Sequence, residues 1–534
     1  MSLYRLPIFP LCLALIALGM LAPAAYALLE GDWGSMGSFL YAAVFTGFAA
    51  ATLGVALGGR PPGRAARSEL FQLIVCWALV PLFAAAPVWL ITPYTGFGGA
   101  WFEMVSAFTT TGGTVYSEPE TVPGAVHLWR GLVAWLGGLV TLAAAFAILA
   151  PRNLGGFEVA GGGRGALPVD RSAVGGSVLH EEAMAPLNER LARALHTVLP
   201  VYLTLTAVLG FLFAALGQGN LAAAVHAMAI ISTSGVSPHA AGIAAQPSFV
   251  VELTAALFMV LAATRLTFAE TRRAAEIGHW HRDPELRLMA LLVAAATLAL
   301  FLRHWFGALE VARGGEAAGG FPALWGAFFT SLSFLTTTGF ESASWRTAQD
   351  WSGLENPGLI LLGLCAIGGG AATTAGGIKL IRACALLQHG RRELERLAQP
   401  YSVVATGRRL SGILHEVAFL AWASIMLFTM AIFAAVVGLT VTGQTFQVAL
   451  VGAIAAISNT GPAFAMVAPG DIDFSRLGGP ERAVLGVTMI LGRLETLAVI
   501  SLFGAVTWPR PRSRELPRQK MLEKRLPKPQ SPHR

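Results

Sequence analysis

Charge is scarce in this sequence: Asp, Glu, Lys and Arg make up 13% of 534 residues, while 55% are hydrophobic. An ordinary soluble domain carries about 25% charged residues, so a string of soluble domains is excluded. Cysteine is scarce too. Cys12, Cys76, Cys365 and Cys384 lie in apolar stretches with no CxxC and no ligand spacing, which excludes a disulfide framework and a zinc site. The apolar stretches hold almost no Asp or Glu, and the histidines are scattered. A membrane-embedded enzyme needs paired carboxylates or a histidine-rich metal set, and neither is evident. Gly161-Gly162-Gly163-Arg164-Gly165 lacks the GK[ST] ending of a phosphate loop and follows no strand, so it reads as a flexible connector. Aromatic residues are sparse among the basic clusters, which argues against nucleic-acid binding.

What remains is a series of apolar windows of about 20 residues, enough to cross a ~30 Å hydrocarbon core as helix. The fold class is an all-α polytopic membrane protein. Its bases are grouped: Arg60, Arg64 and Arg67; Arg152, Arg164, Arg171, Arg190 and Arg193; Arg272, Arg273, Arg282 and Arg287; residues 382–409; and the tail from Arg510 to Arg534. By the positive-inside rule these stretches are cytoplasmic, as are both termini. The first apolar segment, 7–28, follows Arg5 and contains Ala25-Tyr26-Ala27, the form of a cleavage site. A signal peptide is one reading; the segment's length favours an uncleaved first helix.

Inside the apolar region sits Thr109-Thr110-Thr111-Gly112-Gly113-Thr114, with echoes at Ser232-Thr233-Ser234-Gly235, Thr336-Thr337-Thr338-Gly339 and Ser458-Asn459-Thr460-Gly461. The spacing is roughly 115 residues, the mark of an internal repeat. Each copy falls between a short apolar segment (98–109, 221–231, 321–335, 445–457) and a long one (125–149, 249–268, 358–387, 482–506). Each short segment follows another long one (69–91, 193–216, 286–303, 413–439). Short segments cannot span and read as re-entrant. With two leading helices, at 7–28 and 37–57, this predicts about ten spans. The divisions are 1–68 for the leading helices, 69–150 for the first unit, 151–188 for the Gly-rich cytoplasmic linker and 189–269 for the second unit. The third unit is 270–388, the fourth 389–508, and the basic tail, suited to anionic lipid, is 509–534.

Backbone that leaves helical geometry at membrane depth is tolerated where it is buried or lines a water-filled path. Thr and Gly also serve close helix packing, but four copies in equivalent places favour a shared path. Carbonyl oxygens can replace the hydration shell of a cation, glycine permits the dihedrals that aim them, and a short helix ending there points its negative end at the ion. The candidate ion-coordinating residues are Thr110, Thr111 and Gly112; Thr233, Ser234 and Gly235; Thr337, Thr338 and Gly339; and Asn459, Thr460 and Gly461.

The fourfold plan resembles the Trk/Ktr/HKT superfamily of potassium transporters, and the two leading helices resemble the membrane subunit of bacterial Trk. Trp135-Leu136-Gly137-Gly138, Gly492-Arg493-Leu494-Glu495 and the run from Gly368 through Thr373-Thr374 to Lys379 carry the likeness further. The resemblance implies a bacterial inner-membrane protein and potassium as the transported ion, with no organic cofactor. It also implies a homodimer and a separate cytoplasmic nucleotide-binding regulatory subunit. The motif glycines would line the filter; sodium-preferring plant relatives carry Ser at the first, so glycine at all four implies potassium. The second and fourth motifs depart from TTTG, which leaves a sodium-permeable relative as an alternative. A sodium-coupled symporter with inverted repeats is the other, and four units entering in one direction argue against it.

The run of small residues from Gly370 to Gly376 interrupts an apolar segment, so that helix is expected to break. In the resembled family this is a gating loop beneath the filter, which assigns gating to Gly370, Thr373, Thr374, Gly376, Gly377 and Lys379. For Lys379 a snorkelling helix-end lysine is an equal reading. Arg493 lies inside an apolar helix, where an ionisable group normally faces a pathway. Glu495 is two positions on and cannot face it. The resemblance makes Arg493 a brake on flux.

Overall fold

The computed structural model describes residues 8–57, 66–150, 187–268, 283–307, 320–354, 356–398, 408–468 and 472–494. The Gly-rich connector, the bases at 60–64, Arg272, Arg273, Arg282, Glu495 and the tail lie outside them. The described residues form helices joined by turns, without strands.

Helices α1 (Ile8–Gly19) and α2 (Leu21–Leu29) make one apolar span, kinked at Met20. Pro23 explains the kink, since it has no N–H to offer the Gly19 carbonyl. Then come α3 (Trp33–Leu57), α4 (Ala66–Ile91), α5 (Gly96–Phe108) and α6 (Gly124–Ala144), the last running on as a π-turn, Ala145–Leu149. The second unit is α7 (Leu187–Ala215), α8 (Asn220–Ile231), α9 (Phe249–Ala262) and α10 (Arg265–Phe268). The third is α11 (Pro284–Gly307), α12 (Gly320–Leu335), α13 (Trp345–Ser352), α14 (Gly358–Ile367) and α15 (Leu380–Ala398). The fourth is α16 (Arg408–Val441), α17 (Phe446–Ile457), α18 (Pro462–Val467) and α19 (Gly479–Leu494).

Seven stretches are long and apolar enough to cross a membrane: Ile8–Leu29, Trp33–Leu57, Glu69–Ile91, Gly124–Leu149, Leu187–Ala215, Pro284–Arg303 and Ala418–Val441. The other three outgoing helices differ from the simple expectation. α19 is described only as far as Leu494. α14 stops at Ile367 and the chain resumes helix at Leu380, a wider break than the seven small residues suggest. The second outgoing segment, expected unbroken over 249–268, ends at Ala262, because the Ala263 carbonyl accepts the Gly370 N–H at 3.0 Å.

The short helices α5, α8, α12 and α17 are largely apolar, with Glu103 and His226 as buried exceptions, and are buried through their last turns, as suits helices enclosed by others. Their neighbours follow a cycle. Outgoing α6 packs on α8, α9 on α12, α14 on α17, and α19 on α5. Each unit's outgoing helix thus supports the next unit's short helix, and the fourth closes on the first.

Buried acids and bases are more numerous than the sequence suggested. Glu69, Glu103, Arg130, Arg190, Glu252 and Glu285 are all buried. Arg190, counted above among the cytoplasmic bases, pairs with Glu69 at 2.6 Å and donates to the Ala147 carbonyl at 2.8 Å. Each charge has a partner, which is why the interior tolerates it.

Candidate functional site

Each short helix ends in the same local structure. After α5, Thr110 N–H donates to Ala107 O and Thr111 N–H to Ser106 O, both at 2.8 Å. This pair of bonds defines a Schellman ending, which needs a left-handed residue between them. Thr110, Thr233, Thr337 and Asn459 fill that place, with φ of 54°, 51°, 59° and 54°, and the bond pattern recurs in all four copies. Asn tolerates this region; a β-branched Thr does not, at a cost of roughly 1–2 kcal/mol. Strain of this kind persists only where surrounding structure imposes it.

The four turns touch one another in order. A methyl group added at Gly112 would overlap the Ser234 carbonyl oxygen, one at Gly235 the Thr338 oxygen, one at Gly339 the Pro462 ring, and one at Gly461 the Gly113 backbone. Gly461 N–H also donates to Thr111 O at 2.6 Å, and Asn459 Nδ2 to Thr111 Oγ1 at 3.0 Å. The four motifs therefore form a closed ring. Gly137 and Gly492 perform the matching task from outside: a side chain on either would strike the carbonyl of Phe108 or Ile457, the last residue of a short helix.

The fourth turn is the exception. Gly112, Gly235 and Gly339 have φ of 76°, 65° and 82°, whereas Gly461, at −57°, is the N-cap of α18. Pro462 at the first helical position accounts for it. The Thr460 and Gly461 carbonyls are consequently used, accepting Ala463 and Phe464 N–H. By contrast the carbonyls from Thr336 to Gly339 accept no hydrogen bond among the described residues, nor do those of Thr110, Gly112, Thr233, Ser234 and Gly235. Buried carbonyls seldom go unpaired. Carbonyl oxygens left free in this way are the ligands that can replace the hydration shell of a cation.

Two elements press on this ring through the left-handed residues. Arg493 of α19 donates to Thr110 Oγ1, and Asn459 Nδ2 donates to Met489 O at 3.0 Å. Thr233 Oγ1 meets Thr374 Oγ1 at 3.2 Å, and Gly376 N–H donates to Thr337 Oγ1 at 2.9 Å. Gly376 also abuts the Ser458 carbonyl, and Thr374 Oγ1 reaches Ile231 O at 3.3 Å. The loop between α14 and α15 thus touches the second, third and fourth motifs, and α19 touches the first and the fourth.

The loop is folded on itself. Thr373 Oγ1 donates to Gly370 O at 2.7 Å, Gly377 has φ of 76°, and buried Lys379, at φ 85°, donates from Nζ to Ala375 O. Lys379 therefore bonds back into the loop and does not snorkel. Glu285 of α11 accepts Ala371 N–H at 3.1 Å and lies 3.3 Å from Arg265, which also pairs with Asp283 at 3.2 Å. Sequence reasoning missed Glu285 and Arg265. Their signal was an ionisable residue at the edge of an apolar segment.

Around the loops that follow the motifs, burial raises the Tyr116 hydroxyl above its ordinary value, with Glu103 adding to it. Burial also raises the Glu341 carboxyl, which nearby Arg346 partly offsets. Glu120 is lowered chiefly by the hydrogen bond from Ala240 N–H. No group of three or more His, Cys, Asp or Glu residues able to hold a metal ion occurs among the described residues.

A helical multi-pass membrane protein with a central ring of four helix-ended turns is a transport protein and not an enzyme. The family model for TrkH, cation transport protein, matches residues 62–515, and the chain belongs to that family. The Trk system potassium uptake protein TrkH of Halomonas elongata is 28% identical over 520 residues, 94% of this chain and 98% of that protein. Its counterpart from Vibrio parahaemolyticus is 27% identical over 506 residues, 93% and 97%. The crystal structure of the potassium transporter TrkH from Vibrio parahaemolyticus superposes with a TM-score of 0.75 at 25% identity, covering 95% of this chain and all of that one.

Proposed function

We propose that the chain takes up potassium across a bacterial inner membrane, with both termini cytoplasmic, through a filter built from the four motif turns. The observation that carries this reading is the closed ring of turns with unpaired buried carbonyls. The relatives' names supply the ion. Carbonyls from the first three motifs, joined by Asn459, replace water around the cation, and the C-terminal ends of α5, α8, α12 and α17 add negative potential.

The loop of residues 368–379 obstructs the path below the filter, with Gly370, Thr373, Thr374, Gly376, Gly377 and Lys379 shaping it. Arg493 places a cation against the first turn and slows flux. The functional form is a homodimer with one pore per protomer, acted on by a separate nucleotide-binding subunit at the cytoplasmic face.

Rubidium uptake in a potassium-uptake-deficient bacterium tests the filter. Wild type restores uptake and growth on low potassium; the Gly112→Asp/Gly339→Asp variant, present at equal level in the membrane, restores neither. Rescue by that variant removes the filter assignment.

A further inference from the structure

Two buried charges brace the ring without belonging to any motif. Glu103 of α5 and Arg130 of α6 are 1% and 2% exposed, with Glu103 Oε1 and Arg130 Nε 2.5 Å apart. Each directs its remaining hydrogen-bonding capacity to a loop that leaves a motif. Glu103 Oε2 accepts Val115 N–H at 2.8 Å and Thr114 Oγ1 at 3.2 Å. Arg130 Nη1 donates to the Ser237 carbonyl at 3.3 Å and lies 3.1 Å from His127 Nδ1, whose Nε2 meets Pro119 O at 2.7 Å. Thr114 and Ser237 stand at the same place, two residues beyond Gly112 and Gly235. Ser237 Oγ is held from the other side by His226 Nε2 at 3.0 Å.

A buried carboxylate also holds the third loop. Buried Glu252 accepts Ser342 Oγ and Ala343 N–H, each at 2.7 Å, and Trp325 Nε1–H at 2.6 Å. The fourth loop is held differently, because Gly461 opens α18 and donates directly to Thr111 O. Ionisable groups at membrane depth are costly and mark function, and these are placed where they fix the backbone just past the glycines.

We propose that Glu103 and Arg130 are positioning residues that fix the first two filter loops relative to one another and so set discrimination between potassium and sodium. The proposal rests on the filter reading above. A carbonyl cradle favours the larger ion only while its walls resist closing around the smaller one. The ion pair ties loop one to loop two, so neither backbone can shift toward a smaller ion without breaking a buried bond near their junction, where Gly112 abuts Ser234.

Potassium and sodium fluxes of the purified full chain in liposomes test this with Glu103→Gln, Arg130→Lys and Gly112→Ser. Glu103→Gln removes the charge, and Arg130→Lys keeps charge but loses the fork that reaches both Glu103 and Ser237. Each is expected to lower the potassium-to-sodium flux ratio about tenfold, the factor for 1.4 kcal/mol, with Glu103→Asp recovering part of it. A wild-type ratio in Glu103→Gln and Arg130→Lys, beside a lost ratio in Gly112→Ser, overturns the bracing role alone. A wild-type ratio in all three overturns the filter reading and the bracing role with it. Where Glu103→Gln fails to assemble, Thr114→Val removes one bond to Glu103 and leaves the ion pair. A lowered ratio there supports the proposal, and an unchanged one overturns it.

Discussion

Thr110, Thr233, Thr337 and Asn459 each combine a left-handed backbone with a side chain bonded to α19 or to the 368–379 loop. The sequence drew attention to the glycines, whose need for unusual dihedrals is easily read. It named the residue two places earlier only as a candidate ion ligand and did not show its left-handed backbone, a conformation that propensity argues against for the three β-branched threonines. Only the bonds from α19 and the 368–379 loop explain that choice, and those bonds come from distant parts of the chain. Arg493 was legible, being a base within an apolar helix, though its contact with Thr110 was not. Arg493→Ala removes the cation beside the first turn. Rubidium uptake measured without a regulatory partner and at equal expression is expected to rise; unchanged or lower uptake contradicts the brake. Glu341 gives a pH signature. Its folded-state carboxyl is raised by burial, so its contribution to stability is fully present below the unfolded value and is lost as pH rises through the folded one. Glu341→Gln is therefore expected to raise the melting temperature in detergent at pH 8 and to leave it nearly unchanged at pH 4.

Among the elements, the short helices and their turns were readable because length, apolarity and a terminal polar string coincide. The break in the third outgoing segment was readable for the same kind of reason, since its glycines, with Thr373 and Thr374, carry little helix propensity. The break at 263–264 was not. Nothing local interrupts that helix; a backbone donor from another unit, Gly370, takes up the Ala263 carbonyl. The helical Gly461 was announced by Pro462, a residue favoured at the first helical position, but the repeat pattern concealed it. The 368–379 loop is held at its near end by Glu285, which accepts Ala371 N–H while paired with Arg265. Glu285→Gln weakens a charge-assisted bond worth about 1.5–3 kcal/mol, favouring a displaced loop. Rubidium uptake is expected to rise several-fold, and cysteine labelling at position 373 to quicken. Unchanged labelling would argue that Glu285 is not a latch.

At the scale of the whole molecule, the four units form a cycle in which each outgoing helix supports the next short helix and α19 returns to α5. The sequence displayed four copies and one direction of entry; closure into a ring depends on contacts separated by hundreds of residues, such as Asn459 with Thr111. The buried acids were undercounted for the same reason, because Glu103 and Glu252 look like isolated exceptions until their loops fold over them. The central claim is that this ring selects potassium. Its most direct measurement is ion flux through the purified protein in liposomes, with potassium and sodium gradients applied in turn. The account predicts potassium flux well above sodium flux, with the difference lost in Gly112→Ser. Equal fluxes of the two ions in the wild-type protein, or a preference that survives Gly112→Ser, would contradict it.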